Sequence, residues 1–190
     1  HQYIKPFIKE GVATKELDRL AEEFIRSKGA TPSFKGYEGF PSSICASVND
    51  EIIHGIPSKR KLKTGDVVGV DVGVLKHGFI SDSARTYPVG KISDEAKRLN
   101  ETAERAFFEG IKYAKPGYRL RDIQRAIQET VEAEGFSVIR DFTGHGIGSK
   151  MHEDPMIPNF RKLGRGPRLE AGMTLAIEPM INEGTYEVIN

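Results

Sequence analysis

From Thr143 to Pro155 the chain reads TGHGIGSKMHEDP, which places two of its five histidines, three glycines and two acids in one short segment. Imidazoles at that density suit metal ligation or proton transfer. Taken singly, His145 and His152 are each as readily a turn histidine satisfied by its neighbours. The glycines ask only for positive φ or for the close approach of another group. Chemistry needs acids brought to the same place.

Two acids lie in DVVGVDVGVLKHGFISDSARTYPVG, Asp66 to Gly90. The run is rich in Val and other β-branched residues and predicts a hairpin turning at His77-Gly78. The spacing of Asp71 and Asp82 then puts both side chains on one face, directly opposite or diagonal. Like charges facing each other across strands destabilise a sheet, and on a buried face both anions also lose water, so the pair asks for a shared proton or a bound cation. Asp82, between Ser81 and Ser83, reads equally well as a surface acid; Asp71 sits inside the Val-rich run, where that reading is weak.

The elements that must position these groups follow from periodicity. Thr14 is placed to cap a helix with Leu17, Leu20, Ala21, Phe24 and Ile25 at helical spacing, ended by Gly29. Ser93 opens a second helix through Ala96, Leu99, Ala103, Phe107 and Ile111, closed by Pro116-Gly117, and a third runs from near Arg121 through Ile123, Ile127 and Val131 to Gly135. The chain also repeats itself. KEGVATKELDRLAEEFIRSKGA, from Lys9, aligns with KPGYRLRDIQRAIQETVEAEGF, from Lys115, at an offset of 106 that superposes Lys9, Gly11, Arg19, Glu23 and Gly29 on identical residues. LKTGDVVGVD, from Leu62, aligns with LEAGMTLAIE, from Leu169, at an offset of 107. Two matches at nearly one offset indicate a duplicated helix-plus-strand unit, with Asp71 and Glu178 at equivalent positions.

The candidate set is therefore Asp71, Asp82, His145 and Glu178. Oxygen donors with one imidazole suit Mn, Fe(II), Co or Zn better than a thiolate-rich structural zinc site does. Carboxylates that can bridge favour two ions with a nucleophilic water between them. One histidine of the opening segment would then bind metal and the other orient substrate.

Composition sets the frame. With 190 residues, 38% hydrophobic and 29% charged, the chain can bury a core as one domain, and a net charge of +1 without a long Lys/Arg run points to neither nucleic acid nor a membrane. The single cysteine, Cys45, excludes an internal disulfide, and no apolar run reaches membrane-span length, so a cytoplasmic address is expected. The chain opens at His1 within helical-looking sequence, which suggests residues missing from the N-terminus.

SICASVNDEIIHGIP, the Asp71/Asp82 hairpin, GHGIG with HEDP, and AIEPM before NEGTYEV together resemble the type I methionine aminopeptidases, whose pita-bread fold is shared with prolidase, aminopeptidase P and creatinase. The resemblance spans nearly the whole chain. It implies an α+β fold with a pseudo-twofold repeat of helix and antiparallel-strand units in a single catalytic domain, residues 1–190. It also implies two divalent ions (Co, Mn, Fe or Zn) on Asp71, Asp82, His145 and Glu178, with Glu178 as general base and His54 and His152 acting on the peptide. Tyr37, Phe40, Cys45 and Met151, with His54 and His152, would bind substrate, Cys45 as a pocket wall and not as a nucleophile. The implied activity is removal of the N-terminal methionine from peptides and from nascent chains at the ribosome, by a monomer. The short interval from His145 to Glu178 leaves no room for the inserted domain of the type II enzymes.

Two alternatives stay open: HGFISDSARTYPVG is also similar to prolidase and aminopeptidase P, which act on X-Pro bonds, and the same fold serves non-catalytic peptide-binding modules. The family has a second Glu, on the strand paired with that of Glu178, and the repeat likewise calls for a partner to Glu178 as Asp82 is to Asp71. This acid is expected beyond Asn190. A domain truncated at both ends should hold at most one ion firmly, expose a sheet edge in its second half and show little activity.

Overall fold

The computed structural model describes residues 1–189. They form two compact units, residues 1–96 with 148–151, and residues 97–147 with 152–189.

In the first unit, helix α1 spans Thr14–Ser27 and buries Leu17, Ala21 and Ile25, one turn apart, against the sheet. Thr14 is not its cap. The helix is entered through Ala13, and the first amides, of Thr14 and Lys15, donate to the carbonyls of Arg60 and Ser58. The Thr14 hydroxyl, already inside the helix, accepts from Ser58 N at 2.8 Å. A loop remote in sequence thus takes over the capping that a lone Thr was expected to supply. The other end is a Schellman close: Gly29 has φ +65°, its N–H donates to Arg26 O, and Ala30 N–H reaches Ile25 O.

Strands β1 (Thr31–Pro32), β2 (Ile44–Val48), β3 (Val67–Lys76) and β4 (Phe79–Pro88) make one antiparallel sheet. β4 covers one edge of β3 along its length, and β2 and β1 share the other. The β3–β4 hairpin turns at His77-Gly78 as expected, both with positive φ (51° and 82°), the two-residue turn whose twist matches that of the strands. Ile44, Val48, Val68, Val70 and Val89 close the core with Leu17 and Leu62.

Helix α2 (Asp94–Ile111) begins, as expected, with the Ser93 hydroxyl accepting from Ala96 N. It ends before Pro116, loosening into the short-range bonds Tyr113 N–Gly110 O and Ala114 N–Ile111 O, since residues ahead of a proline leave the helical region.

The second unit repeats the first. Helix α3 (Leu120–Ala133) has the bounds of α1 displaced by 106, and the same close at Gly135, through Gly135 N–Glu132 O and Phe136 N–Val131 O. β5 (Ser137–Val138) pairs with β9 (Ile181–Asn182) as β1 pairs with the end of β3: Thr31 faces Leu75, and Ser137 faces Asn182. β6 (Thr143–Gly146) lies between β7 (Glu153–Pro158) and β8 (Leu175–Ala176). β8 and β9 together occupy the place of β3, and the gap between them falls at Glu178-Pro179, where proline has no N–H for the ladder. Among the described residues, no strand lies beside β8 and β9 as β4 lies beside β3. Ile123, Ile127 and Val131 pack with Ala106, Val138 and Ile157 beneath this sheet.

Candidate metal centre

In β3–β4 the register sets Asp71 opposite Ala84 and Asp82 opposite Gly73, so the two acids share one face as diagonal neighbours. Backbones so related stand about 7–8 Å apart, within reach of carboxylates sharing a cation. Cys45, opposite Asp71 on β2, is on the same face. Burial pushes its thiol up to about 12, with the anions of Asp71, Asp82 and Asp18 adding to the effect. A thiol so held is protonated at neutral pH, which suits a wall and not a nucleophile. One oxygen of Asp71, Oδ1, is shut off from solvent, and Asp82 is half-buried.

In the second unit His145 is only 7% exposed. Gly144 and Gly146 flank it for a steric reason and not for positive φ: a Cβ on Gly144 would collide with Ala176 O, and one on Gly146 with Asp154 O. Close strand approach thus decides between the two uses open to those glycines. His145 Nδ1 lies 2.8 Å from Gly146 O, and a carbonyl can only accept, so Nδ1 carries the proton. Nε2, on the other side of the ring, lies 3.4 Å from Glu178 Oε1. Two donor atoms of this kind face each other comfortably only around a proton or a cation, and an imidazole whose far nitrogen is held by a carbonyl is the usual form of a metal-binding histidine. Oε1 is shut off from solvent, like Asp71 Oδ1.

The ring of His152 stands edge-on to that of His145, centroids 4.3 Å apart, and is itself exposed. His54 is exposed too, with φ +58°, a strained conformation for a non-glycine residue, fixed by Gly55, which is held by Ala46 N and Ser47 Oγ. The repeat relates these histidines in a way missed in the sequence. Ser47 faces Gly69 on β3, and His145 faces the equivalent Ala176 on β8, an offset of 98 that also carries His54 onto His152 and Pro57 onto Pro155. The signal was the shared His-x-x-Pro of HGIP and HEDP.

Met151 is buried, Tyr37 is exposed in the turn Tyr37–Gly39, and Phe40 is half-buried behind it. Among the described residues, no group of three or more His, Cys, Asp or Glu side chains is close enough to hold an ion by itself; the candidate ligands come as a pair in each unit. In kind, the carboxylate pair of the first unit and the imidazole and carboxylate of the second each suit a hard or borderline divalent ion.

Residues 1–189 match metallopeptidase family M24. The chain belongs to that family. M24 membership agrees with the similarity to individual proteins. A methionine aminopeptidase of Clostridium perfringens is 58% identical over 97% of this chain and 74% of its own. The solved methionine aminopeptidase of Rickettsia prowazekii is 42% identical with a TM-score of 0.96, covering 99% of this chain and 76% of that one. Prolidase from Pyrococcus furiosus, 24% identical with a TM-score of 0.79 over 94% of this chain and 50% of that one, shares the fold alone. The M24 chain is thus an α+β protein of the pita-bread type, as its motifs led one to expect, and a metal-dependent hydrolase.

Proposed function

We propose that this M24 chain removes the N-terminal methionine from peptides and nascent proteins, with Asp71, Asp82, His145 and Glu178 among the ligands of two divalent ions of Co, Mn, Fe or Zn. The observation that carries the reading is His145 Nε2 facing Glu178 Oε1, with Nδ1 held by Gly146 O, in a chain 58% identical to a methionine aminopeptidase. When bound, such ions act as Lewis acids and bring a water to a nucleophilic state at neutral pH. Glu178 accepts the proton of the attacking water on a carboxylate oxygen and passes it to the departing amine. His54 and His152 donate to the peptide and to the oxyanion that develops on the scissile carbonyl. Tyr37, Phe40, Cys45 and Met151 enclose the methionine side chain. An apolar pocket separates side chains differing by one methylene by roughly 1–3 kcal/mol, so norleucine should be partly accepted.

A cytoplasmic monomer working near the ribosome suits this reading. No helix of the described residues is long and apolar enough to cross a membrane. Residues 115–125 and 161–168 together carry eight cations against the single acid Asp122, a local excess that the overall balance of charge conceals.

The test is hydrolysis of Met-Ala-Ser against Ala-Pro-Ser by the full chain loaded with each metal, following the released amino acid. Free methionine is expected. Cleavage of Ala-Pro-Ser alone would mean an X-Pro peptidase, and metal binding without hydrolysis a peptide-binding module.

A further inference from the structure

Tyr37 and Phe40 lie on the segment 33–43 that joins β1 to β2, and helix α1 holds this segment at both ends. At its start, Ser33 N donates to Gly73 O at 3.0 Å, and the Phe34 ring packs where a side chain on Gly73 would collide with it. Lys35 Nζ then reaches Glu22 Oε2 at 2.7 Å. At its far end, Ser43 Oγ donates to the same oxygen at 3.0 Å, while the amides of Ser43 and Ile44 donate to Asp18 Oδ1 at 2.7 and 3.0 Å. One oxygen of Glu22 thus ties residue 35 to residue 43, and Arg26 holds its other oxygen from below, at 2.8 Å. Between the ties the chain makes a tight loop, closed by Gly36 N donating to Phe40 O, with positive φ at Gly36, Glu38 and Gly39.

We propose that Lys35, Glu22 and Asp18 are the positioning residues of this loop, so that α1 sets how firmly and how selectively the first side chain of the substrate is held. The inference rests on the reading of Tyr37 and Phe40 as pocket walls. Lys35 foremost, then Arg26, hold the Glu22 carboxyl down at about 2, so the clasp stays charged throughout the neutral range. Because the pair is partly exposed, solvent screening leaves it a modest share of global stability. Its effect is local: a loop tied at both ends has lost its freedom before substrate arrives, and that ordering is not charged against binding.

Lys35→Met, Lys35→Arg and Glu22→Gln, made in the full chain, test this with Met-Ala-Ser and Leu-Ala-Ser as substrates and with amide hydrogen exchange over residues 36–42. Lys35→Met and Glu22→Gln should raise KM for the methionine peptide about tenfold with kcat nearly unchanged. The preference for Met over Leu should narrow, metal content should stay constant and exchange in the loop should quicken. Lys35→Arg should restore the wild-type values, and the Lys35→Met/Glu22→Gln double variant should be no worse than Glu22→Gln alone. Unchanged KM and unchanged exchange in Lys35→Met overturn the inference, as does a fall in kcat at constant KM. Wild-type protein that leaves both peptides intact while the loop still loosens in Lys35→Met counts against the pocket reading and leaves the clasp standing.

Discussion

His145 Nε2 and Glu178 Oε1 face each other at 3.4 Å, with the histidine proton committed to Gly146 O on the far side of the ring. An imidazole nitrogen and a carboxylate oxygen face each other stably only around a proton or a cation. The same holds for Asp71 and Asp82, two anions on one face of a hairpin.

Removing one of these donors should therefore remove metal before it removes structure. His145→Ala, Asp71→Asn and Asp82→Asn in the full chain are each expected to weaken metal binding by more than the roughly 10–100-fold that loss of an outer hydrogen-bond partner costs, with activity falling in step. Metal content after gel filtration, read beside methionine release, checks this. A variant that keeps both at wild-type level takes its residue out of the site.

His54 and His152, exposed and related to each other by the repeat, should behave differently. Either change to alanine is expected to leave metal content intact and lower kcat by about 10²–10³, the cost of losing a donor to a developing oxyanion. Should metal leave with His152, whose ring touches that of His145, the division of labour between the two histidines is wrong.

What could be read from the sequence was whatever recurs along it. The correspondence of α3 with α1 came from the repeat and the hairpin at His77-Gly78 from its β-branched flanks, and both hold in the structure. What escaped depends on contacts between distant segments. Thr14 has the type and place of a helix cap, yet residues 58–60 take that role. Glu22 looks like half of an ordinary helical pair with Arg26, and nothing local shows that its other oxygen clasps residues 35 and 43. Nor can a glycine kept for φ be told by sequence from one kept for space.

That last distinction is measurable. Gly144 and Gly146 leave no room for a Cβ beside Ala176 O and Asp154 O, whereas the nearest atom to a Cβ on Gly69 stands at 3.7 Å. Gly144→Ala and Gly146→Ala are expected to cost about 1–3 kcal/mol and to shift His145, so thermal unfolding moves down and metal affinity falls with it. Gly69→Ala, in an open position of β3, should be neutral or slightly stabilising, because it stiffens the unfolded chain. Equal effects at the three sites would mean that strand approach around His145 is not the constraint.

The clasp also leaves a mark on acid stability, with a sign that can be worked out. Glu22 titrates at about 2 when folded against an ordinary 4.5, so as pH falls between these values the unfolded chain takes up a proton that the folded one refuses. Its contribution is thus complete above about 4.5 and fades as pH drops towards 2. Asp18 runs the other way: burial, only partly offset by the amides of Ser43 and Ile44, raises its carboxyl, so protonation favours the folded state as pH falls. In urea unfolding, Glu22→Gln should therefore be less stable than wild type at about pH 5, and the gap should narrow steadily towards about pH 2. Asp18→Asn should show the opposite trend, its standing relative to wild type worsening as the pH is lowered. A gap for Glu22→Gln that stays constant across this range would mean that the carboxylate is not held charged by Lys35 and Arg26, and that the loop is anchored by the Asp18 bonds alone.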